Sequence, residues 1–499
     1  MMKKIIKNIT MLNTLSNLFL QFVTIISGFI IPKLILIYFG SEVNGLISSV
    51  NQLLSYITIL EGGITGVVMA SLYKPLINKD NKLVSSIIKT AEKFYRKIGI
   101  VFVIYTVIIS IIYPVIFKTA FSYIYIFTLI IILSLNLLVQ YNFSLSMKTL
   151  LQADKKVYVI SLTQSIMLIL GIVVAIISVI IYPNIHILKL LTGILFFIQP
   201  IIYKKYINKN YKLDKKVNIN NEMIKNRWDG FAINLAAFVH NSTDIVILTI
   251  FTNLKVVSIY SVYSLITNGL KQIVMSVSNA ITPSIGHLYA SGNRKELNYK
   301  FDIFEYITFF MVFLLHSIAI LLIVPFVMIY TKDISDTNYY QPLFAFLLVL
   351  SEAFYLIKIP HLNLAYSANK FKDITIPSYI EAVINIIISL TLIKKYGLVG
   401  IAIGTLFAMI YRMVFHISYT KKLINRTPKK FYLKLTVFSI ASAFGMSVCI
   451  TFFPLKEIVL TSWILCGCIY SVIMFIIYFF ISIIFYKNEL AYFKRRLFK

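Results

Sequence analysis

Residues 11–38, MLNTLSNLFLQFVTIISGFIIPKLILIY, and residues 43–73, VNGLISSVNQLLSYITILEGGITGVVMASLY, are two long apolar runs joined only by Phe39-Gly40-Ser41-Glu42. Each exceeds the ~20 residues a helix needs to cross a ~30 Å hydrocarbon layer. So short a joint predicts two antiparallel helices that lie side by side. The second run is not uniformly apolar: Asn44, Ser48, Asn51, Ser55, Thr58, Gly62, Thr65 and Met69 recur at helical spacing and share one face. A face of that kind is matched to something other than lipid.

A related hairpin follows at 228–252 and 256–287, and the basic turn after each hairpin corresponds, Asn81-Lys82 with Arg294-Lys295, an offset of 295 − 82 = 213 residues. In the second copy Ser261, Ser264, Asn268, Lys271, Met275, Asn279 and Thr282 again fall on one helix face. The pattern predicts two structural halves whose polar faces line a shared cavity.

Composition sets the class. Of 499 residues, 59% are hydrophobic and 13% charged, and the mean hydropathy of +0.84 is one that no soluble globular chain sustains over such a length. The formal charge of +29 does not point to nucleic acid, because Lys and Arg sit in short turns between apolar runs and build no basic domain. Cys449, Cys466 and Cys468 lie in late apolar runs, where lone thiols behave as small hydrophobes. No His, Asp or third Cys completes a metal set with them, and no cofactor is expected. The opening Met-Met-Lys-Lys-Ile-Ile-Lys is similar to the start of a signal peptide, but the apolar run behind it is too long and lacks a small-residue cleavage site, so it reads as an uncleaved first span.

Read in order, the runs give an all-α polytopic membrane protein with about fourteen spans in two six-helix lobes plus a C-terminal pair. The N-terminal lobe is 1–203, with spans at 11–38, 43–73, 98–117, 121–147, 157–182 and 185–203, and 74–97 as a basic, partly helical connector. A basic linker occupies 204–227, and the C-terminal lobe is 228–420, with spans at 228–252, 256–287, 303–330, 339–366, 375–393 and 398–420. Residues 421–499 hold the last pair, 432–453 and 458–486, and a basic tail. An even number of spans puts both termini on one side. Alternate turns hold only Lys118, Lys255, Lys332, Lys394, Lys395 and Lys456 of the 48 Lys and Arg, which assigns the basic side, with both termini, to the cytoplasm of a bacterial cytoplasmic membrane. The outward turns, of which 331–340 is the longest, leave no room for a catalytic domain. Pro32, Pro283, Pro325 and Pro360 each remove a backbone hydrogen bond and permit a bend, or are simply tolerated in membrane helices.

Ionisable groups at bilayer depth cost at least ~2.5–3.5 kcal/mol and usually face a cavity or a partner. Glu61 lies mid-span at the edge of its polar stripe, Lys271 lies within its stripe, and Asp244 shares a face with Asn234 and Asn241. Lys33 stands close enough to the outer end of its span to snorkel. Glu352 and Lys358 belong to the tenth span, and Glu381 and Arg412 lie nearer the inner ends of theirs, where ion pairing competes with ligand contact. The substrate-cavity candidates are therefore Lys33, Asn51, Glu61, Asn234, Asn241, Asp244, Asn268, Lys271, Asn279, Glu352, Lys358 and Arg412. Such a cavity attracts an anion through its cations and hydrogen-bonds sugar hydroxyls through Asn, Ser and Thr. His240, His316, His361 and His416 can relay protons, although an isolated His in an apolar run more often packs as a hydrogen-bonded structural residue.

In Ile31-Pro32-Lys33, Tyr38-Phe39-Gly40, Asn44-Gly45-Leu46 and Leu60-Glu61-Gly62-Gly63-Ile64, and in length and paired halves, the chain resembles the polysaccharide-export branch of the MOP superfamily, the Wzx-type flippases. The resemblance covers most of the chain in architecture and the opening hairpin at motif level. Many such flippases have twelve spans, and fourteen is shared with the lipid II flippases. The resemblance implies alternating access by two lobes, moving an undecaprenyl-pyrophosphate-linked oligosaccharide repeat unit outward, with a polysaccharide polymerase as possible partner. The residues themselves lead only to a two-lobed transporter with a polar, partly cationic cavity. A MATE-like multidrug exporter or a lipid II flippase shares that outline. Against organic cations as cargo stand the absence of a carboxylate from the first helix and the cations Lys33 and Lys271. Against a membrane-embedded glycan-assembly enzyme stand the short outer turns and the lack of any Asp-X-Asp.

Overall fold

A computed structural model describes residues 2–61, 64–117, 120–214, 216–217, 243–424 and 426–491. Every regular element among them is helical. Eleven helical segments of the described residues are long and apolar enough to cross a membrane. The first of them, Met11–Glu61, is 51 residues long and holds the first predicted span and the greater part of the second, 43–73. Of the predicted seventh span only 243–252 is described, and there 243–251 is helical. The eighth corresponds to the helix Leu254–Ala290. The chain forms two compact units, Met1–Ser258 and Ile259–Lys499.

In the first unit, α1 (Met2–Ser55) is interrupted at Gly40, where φ 81° and ψ 175° take a conformation that costs a side-chain-bearing residue dearly. The predicted four-residue joint is thus a break at one glycine. Beyond it the second run divides into the end of α1, α2 (Thr58–Glu61) and α3 (Ile64–Ile77). The Ser55 hydroxyl donates to the Gln52 carbonyl at 2.6 Å and that of Thr58 to the Ser55 carbonyl at 2.7 Å, offering the backbone an alternative to the helical ladder at the break. The basic connector and the third span are one helix, α4 (Asn81–Ile116), capped by Asp80, whose carboxylate accepts the Leu83 amide at 3.0 Å. Its buried stripe of Val84, Ile87, Ile88, Ala91, Tyr95, Ile98 and Phe102 faces the core, and Ile100, Val103, Ile104, Val107, Ile108 and Ile111 lie exposed on the lipid side.

The fourth span is α5 (Tyr123–Val139), a π-helical turn Gln140–Ser144 and α6 (Leu145–Ala153). Then come α7 (Val157–Ile181), α8 (Ile185–Ile194), a 3₁₀ turn Leu195–Phe197 and α9 (Ile198–Asn210). The boundary between the units falls within α10 (Leu254–Ala290). Its first turn packs against the Asn44-Gly45 motif: Asn44 donates to Ser258 Oγ at 2.8 Å, and a Cβ on Gly45 would collide with the Leu254 carbonyl. The Thr249 hydroxyl likewise donates to Ser49 Oγ at 2.9 Å.

The second unit continues with α11 (Arg294–Tyr330), whose cap Asn293 and Glu296 bond reciprocally, amide to side chain at 3.2 Å and side chain to side chain at 3.1 Å. Next are α12 (Pro342–Ile357), α13 (Ile359–Ser367), α14 (Phe371–Tyr396), α15 (Leu398–Ile424), α16 (Pro428–Phe452) and α17 (Leu460–Phe485). Helices α14 and α15 meet over Gly400-X-X-X-Gly404; a Cβ at either glycine would strike the α14 backbone or Ser389. Aromatic rings from α11, α16 and α17, among them Tyr306, Phe309, Phe438 and Tyr478, fill the core beneath the C-terminal pair. Pro32, Pro283 and Pro325 lie inside helices, whereas Pro360 stands in the first turn of α13, at a true break.

Candidate functional site

The tenth span breaks because Pro360 has no N–H and cannot extend the ladder of α12. The residue at that break is Lys358, whose side chain is only 2% exposed. Standing at the C-terminal end of α12, its charge is favoured by the negative end of the helix dipole. Its ammonium lies 3.9 Å from Met409 Sδ and 4.5 Å from the centre of the Tyr355 ring, and no carboxylate comes within salt-bridge distance among the described residues. Lys271, from α10, occupies the same ring at 4.1 Å and pairs with Glu352 at 3.5 Å. Behind them Arg412 of α15 pairs with Glu381 of α14 at 3.2 Å and donates through Nε to His416 Nε2 at 2.9 Å, so that imidazole carries its proton on Nδ1.

Among the described residues, three basic side chains thus face two carboxylates inside the second unit. Lys271 and Glu352 retain about a fifth of their side-chain exposure, at 21% and 18%, whereas Arg412 and Glu381 are buried. Lys358, Arg412 and Glu381 lie in a setting poor in water, where electrostatic interactions act more strongly than in solution. Among the described residues no group of His, Cys, Asp and Glu is arranged to hold a metal ion. The chemistry this cluster offers is reversible binding of an anion through its partly exposed edge at Lys271.

In the first unit Glu61 closes α2, and its carboxylate accepts hydrogen bonds from Thr65 and Tyr141 at 3.2 Å each. The Thr65 hydroxyl also lies 3.0 Å from Tyr95 Oη, and the charge of Lys148 on α6 acts on Glu61. Tyr141 belongs to the π-helical turn, so a broken helix faces a bulged one. Both irregularities converge on a single carboxylate, an arrangement common at functional positions in helices.

The remaining candidates are dispersed. Lys33 is half-buried in the first part of α1, and Asn51 is exposed further along it. Asp244 is buried in the 243–251 helix; Asn234 and Asn241 lie outside the described residues. Asn268 and Asn279 are exposed on α10, on either side of Lys271.

Sequence reasoning missed a carboxylate with four hydrogen bonds from basic side chains among the described residues. Glu305 of α11 is fully buried and accepts Arg426 Nη1 and Nη2 at 2.8 and 2.7 Å, Lys434 Nζ at 2.7 Å and the His361 imidazole at 3.1 Å. Arg426 also pairs with Asp302 at 2.8 Å. Burial pulls the Arg426 pKa down, and the carboxylates of Glu305 and Asp302 outweigh it and hold the guanidinium above its ordinary value. The signal was present as Asp302 and Glu305 at the mouth of an apolar run, with Arg426 and Lys434 flanking another.

Neither a family model nor a curated protein matches the sequence. Solved structures do. The lipid II flippase MurJ in an inward closed conformation is similar at a TM-score of 0.74 and 17% identity, over 96% of this chain and 100% of that one. The MATE multidrug transporter DinF-BH is similar at 0.60 and 13% identity, over 84% and 97%. The Vibrio cholerae MATE transporter VcmN in its bent form is similar at 0.56 and 11% identity, over 84% and 98%. At such identities the likeness is one of fold, and the chain is a multi-pass membrane protein with the all-helical fold that these flippases and transporters of the MOP superfamily share.

Proposed function

We propose that this chain is a flippase that carries an undecaprenyl-pyrophosphate-linked oligosaccharide repeat unit from the inner to the outer leaflet of a bacterial cytoplasmic membrane by alternating access. Capsule, O-antigen or exopolysaccharide assembly is the process it would serve, with a polysaccharide polymerase as its partner downstream. The observation that carries this reading is the excess, among the described residues, of the basic side chains of partly exposed Lys271 and buried Lys358 and Arg412 over the carboxylates of Glu352 and Glu381. A pyrophosphate or an acidic sugar complements that surplus, and an organic cation does not. Lys271 is the residue assigned to ligand contact, with Lys358 and Arg412 raising the potential behind it. Glu61, in the other unit, is assigned to coupling or gating.

A lipid II flippase is the second reading, favoured by the coverage of MurJ, which exceeds that of the MATE transporters. One experiment separates the readings. In a strain that depends on this chain for surface glycan, Lys271→Ala and Glu61→Ala at matched protein levels are expected to lower surface polymer while fully assembled lipid-linked repeat units accumulate at the inner leaflet. Accumulation of lipid II with unchanged surface polymer transfers the assignment to peptidoglycan. If assembled units never form even after deletion, the chain acts in synthesis.

A further inference from the structure

A cavity of about 970 Å³ opens within the first unit, between α4, the π-helical turn with α6, α9 and the segment 211–214, and its walls include no member of either charge network. From the 3₁₀ turn into α9 the exposed lining residues change character in order, Phe197 and Ile201, then Lys204, then Asn208, at spacings of four, three and four residues, with buried Ile207 behind them. Phe143 from the π-helical turn extends the apolar end; it, Phe197 and Ile201 are exposed in a protein whose apolar surface faces lipid.

The basic end holds Lys89, Arg96, Lys204 and Lys212 against Glu92 and Asp214. Arg96 is already paired with Glu92 at 2.6 Å, and Lys89 donates to the Val217 carbonyl at 2.9 Å. The Asp214 carboxylate accepts the Lys216 amide at 2.8 Å. Lys204 and Lys212 have no ion pair or hydrogen bond among the described residues, and both are exposed. The cavity is therefore apolar at one end and carries uncompensated cations at the other.

We propose that it binds an anionic phospholipid of the surrounding leaflet, with the phosphodiester at Lys204 and Lys212 and an acyl chain along Ile201, Phe197 and Phe143. The order of the lining residues from Lys204 to Phe197 is the order of such a lipid from headgroup to chain, and basic pockets between membrane helices are a known means of headgroup capture. A soluble phosphate makes no use of the apolar half, and a zwitterionic lipid makes none of the surplus charge. The inference is independent of the cargo.

The test uses the delipidated full chain in detergent, titrated with phosphatidylglycerol or phosphatidylcholine of identical chains and read by native mass spectrometry. Phosphatidylglycerol is expected to be retained in preference by roughly five-fold for each engaged cation. The double substitution Lys204→Gln/Lys212→Gln should abolish that preference, and Lys429→Gln/Lys430→Gln in the second unit should leave it intact. Ile201→Asn, with the charges untouched, should weaken retention of both lipids. Circular dichroism confirms that each variant folds. Equal retention of the two lipids by the unmodified chain, or an unchanged preference in the double variant, overturns the proposal. So does displacement of the lipid by millimolar inorganic phosphate, which marks a simple anion site, and so does stronger retention of a polyprenyl phosphate, which marks a port for cargo.

Discussion

Lys358 and Arg412 are both buried basic residues of one cluster, yet removing them has opposite consequences for stability, because among the described residues only Arg412 is ion-paired with a carboxylate. Lys358 contacts a thioether and a ring. Lys358→Met deletes a charge whose burial is costly and fills its volume, so unfolding in detergent should be unchanged or later, by up to about 1–4 kcal/mol. Arg412→Ala removes the guanidinium from the buried carboxylate of Glu381 and from the lone pair of His416 Nε2, and should destabilise the chain by about 3–5 kcal/mol. Thermal unfolding followed by circular dichroism distinguishes the two. Under the proposed function both variants lose surface polymer, which separates the charge as a tool from the charge as a brace. The sequence displayed all these charges plainly. Their pairing was not legible, because the choice between Glu352 and Glu381 as partner for Lys271 depends on the rotation of α12 and α14, and periodicity does not report it.

At the scale of the element, helices were readable and their interruptions were not. Length and apolar content suffice to announce a helix in lipid, since every backbone group must be satisfied within it. The π-helical turn at Gln140–Ser144 has neither Gly nor Pro to signal it. Deleting Asn142 should restore an α-helical register and rotate Tyr141 away from Glu61 by roughly one residue's turn. Helix content should then hold, by circular dichroism, while transport falls as it does for Glu61→Ala. The contact of α14 with α15 yields a sharper forecast. Gly404→Leu forces a side chain into Ser389 and the Asn385 carbonyl, and overpacking of that kind costs about 1–3 kcal/mol. The expected readout is a lowered unfolding temperature with a normal insertion level. Gly45 was legible as part of a motif, but its reason, the carbonyl of Leu254 pressed against it, lies more than two hundred residues along the chain.

At the scale of the whole molecule, the even spacing of the Lys and Arg turns predicts one topology, and a chemical test reads it directly. Ser335→Cys, exposed in the 331–340 turn, should react with a membrane-impermeant maleimide in intact cells, and a fluorescent protein fused to the C-terminus should remain on the cytoplasmic side. Labelling only after permeabilisation would invert the orientation. Composition and span count were enough to specify a polytopic helical protein, whereas the docking of the last two helices was not. Arg426 and Lys434, which answer Glu305, come from beyond the twelfth predicted span, and the aromatic rings around them come from α16 and α17. Removing the last two helices, α16 and α17, is therefore not the subtraction of an appended module. A polypeptide ending at Ile424 would keep Glu305 in its interior and lose the guanidinium and the ammonium that make it tolerable, so the longer architecture, once a carboxylate has been placed at that position, cannot be trimmed without first replacing it.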